Sequence, residues 1–372
     1  MTFDKKIYVT QPSLPPLDDF SPYLKKIWKE KWLTNNGRFH QEFEKELADY
    51  LGVKYVSLFC NGTCALQIGL QALRITGEVI TTPFTFAATT HSIYWNSCTP
   101  VFCDIDPVTF NLNPDKVESL ITPKTTAILP VHVFGNPCDV VKLKTIADLY
   151  GLKLFYDAAH AFGVRKSGES ILNFGDLSML SFHATKVFNT FEGGALVTND
   201  ETMKKRIDFL KNFGFAGETT VVAPGVNGKM DEFHSALGLL QLKHIDAEIE
   251  KTQKVAQLYE KKMRGIQGIS IMRKASDIDY NYAYFPILVD SEKYGLSRDE
   301  LYNIFRSNEI YARRYFYPLV SNFPCYRDLS SSSIDNLPVA TKIAEQILCL
   351  PIYADLETKD INRIMDIINK KD

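Results

Sequence analysis

Three places in this chain bring together residue types that do chemistry. The first is Asn61-Gly62-Thr63, between the apolar run YVSLF and the helical pattern CALQIGLQAL. A strand-to-helix turn leaves backbone N–H groups free and points the positive end of the helix dipole at an anion such as phosphate. The second is Asp157, where the apolar run LKLFY ends and Ala158, Ala159 and His160 begin. Ligands of parallel sheets bind at the carboxyl ends of strands, and an Asp there can keep a pyridine nitrogen protonated, making the ring an electron sink. The third is Lys186, which closes SFHATK just after LSMLSF and before the bend Glu192-Gly193-Gly194. A lysine amine held dry enough to be nucleophilic forms a Schiff base with an aldehyde. Phe182, Val187, Phe188 and Phe191 point to such a dry setting, where an unpaired ammonium is costly. Phosphate, pyridine nitrogen and aldehyde are three handles of one cofactor, pyridoxal 5'-phosphate (PLP).

Each feature also has a plain structural explanation. A Gly-Thr turn caps a helix, an Asp at a strand end caps the next turn, and a loop lysine is ordinarily solvated. Ser181 is equally a phosphate-binding hydroxyl or a strand serine. Cys60 and Cys64 have neither a second close pair nor a nearby His to complete a metal site. The Walker phosphate loop and the GxGxxG fingerprint are absent, which weakens the kinase, ATPase and dehydrogenase readings.

The elements that must position these residues read as α/β. Between Tyr55 and about Leu240 the apolar runs YVSLF, EVITT, PVFCDI, TAILPVHV, LKLFYDA, LSMLSF and GALVT alternate with helical patterns, the pattern of a mostly parallel sheet covered by helices. Asp139 opens one helix and Gly151 closes it, while Phe39, Phe43, Leu47 and Leu51 form an apolar stripe on another. A long helical stretch is expected from Met230 to about Arg264. Beyond it come isolated strands and helices, among them a capping box at Ser297 and Glu300. Residues 1–245 are therefore expected to form a large domain, and residues 246–372 a smaller C-terminal α+β domain. Ser330 to Ser333 reads as a polar surface loop.

Bulk properties narrow the partners. With 45% hydrophobic and 23% charged residues the chain can build a packed core, and 42 Lys plus Arg against 44 Asp plus Glu create no field to attract nucleic acid or an anionic membrane. The start carries charges and prolines where a signal peptide needs an apolar run, and no stretch matches a membrane span, so a cytoplasmic protein is expected. The cysteines are odd in number and scattered, as expected of reduced core thiols.

Taken in order, the Gly-Thr turn, PFTFAATTHS, Asp157 in DAAHAFG and Lys186 in SFHATKVFNTFEGG resemble the DegT/DnrJ/EryC1/StrS family of sugar aminotransferases. The resemblance runs nearly end to end, from WLTNNGRFHQEFEKELADYLG through GVNGKMDEFHSALGLLQL to YFYPLVSNFPCY. Its motifs look most like the branch that forms dTDP-4-amino-4,6-dideoxyglucose. The resemblance implies a fold-type I enzyme with a seven-stranded sheet, working as a homodimer with active sites shared between subunits.

Residue by residue, it implies that Lys186 carries PLP and that Thr63 and Cys64 offer backbone N–H groups to the phosphate. Ser181 adds its hydroxyl, and Asn227 reaches across from the other subunit. Phe86 would stack on the pyridine ring, Asp157 pair with its nitrogen, and His160, where many relatives have Gln, sit near its phenolic oxygen. Asn35, His183 and Tyr317 become candidate substrate contacts. Val320 stands where many relatives have His after Tyr-x-Pro-Leu, which puts any sugar contact from that His in doubt. His183 looks like members that aminate C4, since those acting at C3 often carry Tyr there.

The implied reaction uses L-glutamate as amino donor, passes through pyridoxamine 5'-phosphate, and delivers nitrogen to a nucleotide-linked 4-keto-6-deoxy sugar for surface polysaccharide. Amination at C3, or of a UDP-sugar, is the nearest alternative. A PLP-dependent dehydratase would carry His at position 186, and a regulatory relative could have lost Asp157 or Lys186; this chain retains both.

Overall fold

The computed structural model of the protein describes residues 5–369. In chain order come β1 (Ile7–Tyr8), α1 (Leu17–Glu30), α2 (Arg38–Leu51), β2 (Tyr55–Phe59), α3 (Gly62–Ala72), β3 (Glu78–Thr81), α4 (Ala87–Trp95), β4 (Thr99–Phe102) and β5 (Thr125–Leu129). Next are α5 (Val140–Tyr150), β6 (Lys153–Asp157), β7 (Arg165–Lys166), β8 (Glu169–Ser170), β9 (Leu177–Ser181), β10 (Gly194–Thr198), α6 (Glu201–Leu210), α7 (Glu232–Leu242) and α8 (Ile245–Met263). The remainder holds β11 (Ile269–Ile271), β12 (Ile278–Asp279), β13 (Phe285–Val289), α9 (Ser291–Tyr294), α10 (Arg298–Ser307), β14 (Ile310–Tyr311), α11 (Pro338–Gln346), β15 (Ile347–Leu350) and α12 (Thr358–Asn369).

The seven apolar runs form one seven-stranded sheet in the order β2-β10-β9-β6-β5-β3-β4. The pairs from β4 to β9 are parallel, whereas β10 runs antiparallel to both of its neighbours. That reversal matters locally. The first residue of β10, Gly194, lies opposite both Phe59 at the end of β2 and Ser181 at the end of β9. The carboxyl ends of β2 and β9 are thereby level, with Asp157 at the end of β6 one strand further on.

Helices cover the sheet as their sequences require. The stripe Phe39, Phe43, Leu47 and Leu51 of α2 is buried in the main core with Phe182 and Phe188. Asp139 caps α5 by accepting from the Lys142 N–H at 3.1 Å, and Gly151 ends that helix at φ +65°, a conformation glycine adopts without strain. The capping box at Ser297 and Glu300 is present at the start of α10.

The expected single helix from Met230 is two, α7 and α8. The turn between them tightens to i−3 bonds, Lys243 N–H to the Leu240 carbonyl and His244 N–H to that of Gln241. Helix α8 then bridges two cores, with Ile245 in that of the large sheet and Val255, Tyr259 and Met263 in a second core around β13, α10 and α12. Ile7 belongs to this second core, because β1 pairs in parallel with β14.

Ser330 to Ser333 is not a plain surface loop. Ser331 Oγ accepts the Phe102 N–H at 3.1 Å and Ser332 is buried, donating to the Tyr326 carbonyl at 2.7 Å. β4 is an edge strand whose outward N–H groups need partners, and this segment supplies one. Cys325 is exposed rather than part of the core. Among the described residues no helix is long and apolar enough to cross a membrane.

Candidate active site

The level ends of β2, β9 and β6 frame a cavity of about 360 Å³. Gly62, Thr63, Phe86, Asp157, His160, Ser181, His183 and Lys186 all line it, joined from the C-terminal part of the chain by Tyr284, Arg313, Tyr315 and Phe316.

Close packing of backbone shapes the phosphate-sized end. A Cβ on Gly194 would stand 2.7 Å from the Gly62 nitrogen, and one on Gly62 would meet Ser181 Cβ at 3.1 Å. The start of α3 is thus pressed against the ends of β9 and β10, its N-terminus facing the cavity. Asn61 Oδ1 accepts the Cys64 N–H at 2.8 Å. The expected Cys64 donor is therefore already engaged and its residue lies outside the cavity wall, which leaves the Gly62 and Thr63 N–H groups of the first turn.

Asp157 is buried. Its Oδ2 accepts from Thr89 Oγ1 at 2.7 Å and its Oδ1 from the Ala159 N–H at 3.0 Å. Burial nevertheless pushes this carboxyl above the usual carboxylate range, against the pull of those two donors and of Lys186. A carboxylate so placed favours a cationic partner.

Lys186 Nζ donates to Tyr284 Oη at 3.4 Å. Loss of solvent around the amine lowers its pKa to about 8, with the charge of Asp157 opposing the shift. Near neutral pH the neutral form, which nucleophilic and base chemistry both require, is then far more populated than in a solvated lysine, though the ammonium still predominates.

His160 is also buried, and burial together with the charge of Lys186 holds its pKa well below the ordinary value. The ring is neutral, and its Nδ1 accepts the Phe134 N–H at 3.2 Å. The ring hydrogen therefore resides on Nε2, making His160 a hydrogen-bond donor.

The other expected residues divide. Phe86 caps α4 and lines the cavity while 62% exposed. His183 lines it too, with Nε2 3.7 Å from Glu192 Oε1. Asn227, bridged to Asn212, and Tyr317 lie outside the wall. Tyr317 instead faces the guanidinium of Arg298 at 4.5 Å and that of Arg314 at 5.3 Å. Asn35 lines a separate groove of about 630 Å³ beside β2. The buried charges of that groove are already matched, Glu44 by Lys204 at 2.9 Å and by Lys211 at 3.0 Å, which leaves the smaller cavity as the reactive one.

Comparison with known proteins agrees with this geometry. The model of the DegT/DnrJ/EryC1/StrS aminotransferase family matches residues 18–369.

The chain belongs to the DegT/DnrJ/EryC1/StrS aminotransferase family.

It is 53% identical to a dTDP-4-amino-4,6-dideoxy-D-glucose transaminase of Escherichia coli, with 98% of each chain covered. A Shigella dysenteriae transaminase of the same description is 50% identical over 99% of each chain. Among solved structures, DesI in the presence of its TDP-sugar product superimposes with a TM-score of 0.94 at 35% identity, covering 98% of this chain and 93% of DesI. Like its family, the enzyme is a transaminase dependent on PLP. The residues present suit that cofactor: a buried acid lacking a full cationic partner, an amine of lowered pKa, a neutral imidazole donor and a helix N-terminus face one cavity.

Sequence reasoning missed Thr89, Tyr284 and Arg313. Thr85, just ahead of α4, and Thr89, in its first turn, stand four apart in the sequence, and their hydroxyls meet at 2.9 Å. Tyr284 and Arg313 carry no local signal, because they reach the cavity from the C-terminal part of the chain, far in sequence from Lys186.

Proposed function

We propose that this enzyme moves the amino group of L-glutamate to C4 of dTDP-4-keto-6-deoxyglucose, yielding 2-oxoglutarate and dTDP-4-amino-4,6-dideoxy-D-glucose. The observation that carries this reading is the identity of 53% and 50%, over nearly whole chains, to two transaminases of that description. The product would be made in the cytoplasm and would serve a surface polysaccharide such as an O-antigen.

When bound, PLP stores the amino group between the two half-reactions and draws electrons from the carbon that loses its proton. Asp157 keeps the proton on the ring nitrogen and orients the ring. The Nε2 hydrogen of His160 is donated to the ring's phenolic oxygen. The N–H groups of Gly62 and Thr63 and the Ser181 hydroxyl would take the phosphate, and Phe86 would lie against the ring. The amine of Lys186 holds the cofactor at rest. When free, that amine would carry the proton between the donor's Cα and the cofactor's C4', and back along the same path for the sugar. His183, on the same wall, would touch the sugar.

A second copy of the chain would complete the site. Support comes from Phe86, which is 62% exposed although it lines the cavity, and from the exposed side chains of Trp28, Tyr94 and Trp95. Asn227, at the surface and outside the wall, would then serve the partner's phosphate, and Asn35 and Tyr317 would contact nucleotide. Analytical ultracentrifugation checks the assembly, with a monomeric active enzyme as the contrary result.

The reaction is tested by supplying protein and PLP with L-glutamate and a panel of dTDP- and UDP-keto sugars, then locating the new nitrogen by NMR. Nitrogen at C4 of the dTDP sugar is expected. Nitrogen at C3, or turnover confined to UDP sugars, would overturn the assignment.

A further inference from the structure

Tyr284 enters the cavity just ahead of β13, packed against the cluster that holds Phe134 and Phe316, and is anchored there through its neighbours. Asn281 Nδ2 donates to the carbonyls of both His160 and Phe162 at 2.9 Å, tying this segment to the loop that follows Asp157. The Tyr284 ring packs 4.6 Å from the His160 ring and 5.4 Å from that of Phe134. Its hydroxyl lies 3.4 Å from Lys186 Nζ, and burial holds the phenol well above its ordinary pKa, so it stays protonated.

The two polar partners around the amine act differently. Asp157 favours the charged form of Lys186 alone. A neutral phenol can accept a hydrogen bond from an ammonium and donate one to a free amine, so it serves both protonation states. A base that must leave the cofactor, carry a proton and return needs a partner of this kind; otherwise its flexible four-carbon stem samples positions out of reach.

We propose that Tyr284 is a positioning residue that holds the Lys186 amine beside the reacting carbon whenever that amine is free. The inference rests on Lys186 being the proton carrier.

The test is Tyr284→Phe, which keeps the ring packing and removes one oxygen that bonds no backbone group. In cofactor-free protein, Lys186 is reductively methylated with formaldehyde and cyanoborohydride across a pH series and followed by mass spectrometry. Loss of one hydrogen bond should speed labelling about fivefold on the alkaline side with the midpoint unmoved, since no charge is removed. The glutamate half-reaction of the loaded variant should slow about fivefold to tenfold in kcat at unchanged KM, the pattern of lost positioning. Unchanged labelling, an unchanged half-reaction, or a midpoint moved by about one unit or more would each overturn the proposal; such a shift would mean that Tyr284 acts through charge. If Lys186→Ala retains turnover, the underlying reading fails. If Lys186→Ala is dead and Tyr284→Phe behaves as wild type, only this inference fails.

Discussion

Thr89 Oγ1 donates to Asp157 Oδ2 at 2.7 Å, and Thr85 Oγ1 lies 2.9 Å behind it. With its own hydrogen committed to the carboxylate, Thr89 must accept from Thr85, so two hydroxyls form a relay that holds the acid in its charged form. Thr89→Val removes the relay at nearly constant volume. Affinity for PLP should fall about tenfold, the weight of a hydrogen bond to a charged group, as read by absorbance titration. The bond lowers the carboxyl's pKa, so its loss lets protonation begin at higher pH. The acid-side decline in cofactor affinity should then move upward in pH, and a decline that stays in place would count against the relay.

Asp157→Asn separates stability from chemistry. The folded-state pKa of this carboxyl is raised above its unfolded value, so the folded form is favoured in acid and that contribution is lost as pH rises through the raised pKa. The cofactor-free Asn variant should therefore melt higher than wild type at pH 7, and the gap should close below about pH 4. Transamination should drop about a hundredfold because the ring nitrogen is no longer held protonated. Wild-type kinetics in this variant would remove Asp157 from the site.

Lys186 titrates near 8 in the folded cofactor-free protein, below its ordinary value, because its amine is desolvated. Only the neutral amine attacks an aldehyde, so the rate of PLP uptake should climb with pH and level off above about 8. Stopped-flow absorbance reads this directly, and a midpoint near that of a solvated lysine would contradict the burial argument. Lys186→Ala should lose roughly 100-fold to 10,000-fold in turnover while remaining folded by circular dichroism.

His160 works as a donor at Nε2 because the Phe134 N–H occupies Nδ1. Glutamine offers an N–H to the same space, so His160→Gln should stay within a few-fold of wild type, while His160→Leu should lose about tenfold in kcat. The low pKa of His160 means the wild-type profile should show no titration of this ring between pH 5 and 8. Equal losses in the two variants would show that ring packing, rather than the donor, matters.

Gly194→Ala tests the pressed backbone at the phosphate end. The added Cβ would meet the Gly62 nitrogen at 2.7 Å, and no flexible side chain is there to yield. Displacement of the α3 N-terminus should weaken binding of both PLP and pyridoxal 5'-phosphate oxime, whereas affinity for pyridoxal without phosphate should change little. Isothermal titration distinguishes these outcomes.

Much of this enzyme is local in origin and was therefore readable from residue order. Seven apolar runs became seven strands, Asp139 and Gly151 bounded α5, and the Ser297 box began α10, because periodicity and capping act over one or two turns. Lys186, Asp157 and the Gly62 turn were legible for a related reason: a strand end followed by a functional residue carries its own context.

Tertiary structure decided the rest. The reversal of β10 levels the ends of β2 and β9, and no local pattern states which way a strand will run. Thr89 meets Asp157 across 68 residues and Tyr284 meets Lys186 across 98, contacts that exist only once distant parts of the chain have packed. Sequence offered the Cys64 N–H as a phosphate donor, yet Asn61 takes it, since a helix N-terminus satisfies itself with the nearest acceptor. The acid and the amine were written into the chain, while their altered pKa values came from desolvation, which belongs to the packed molecule and to no single residue.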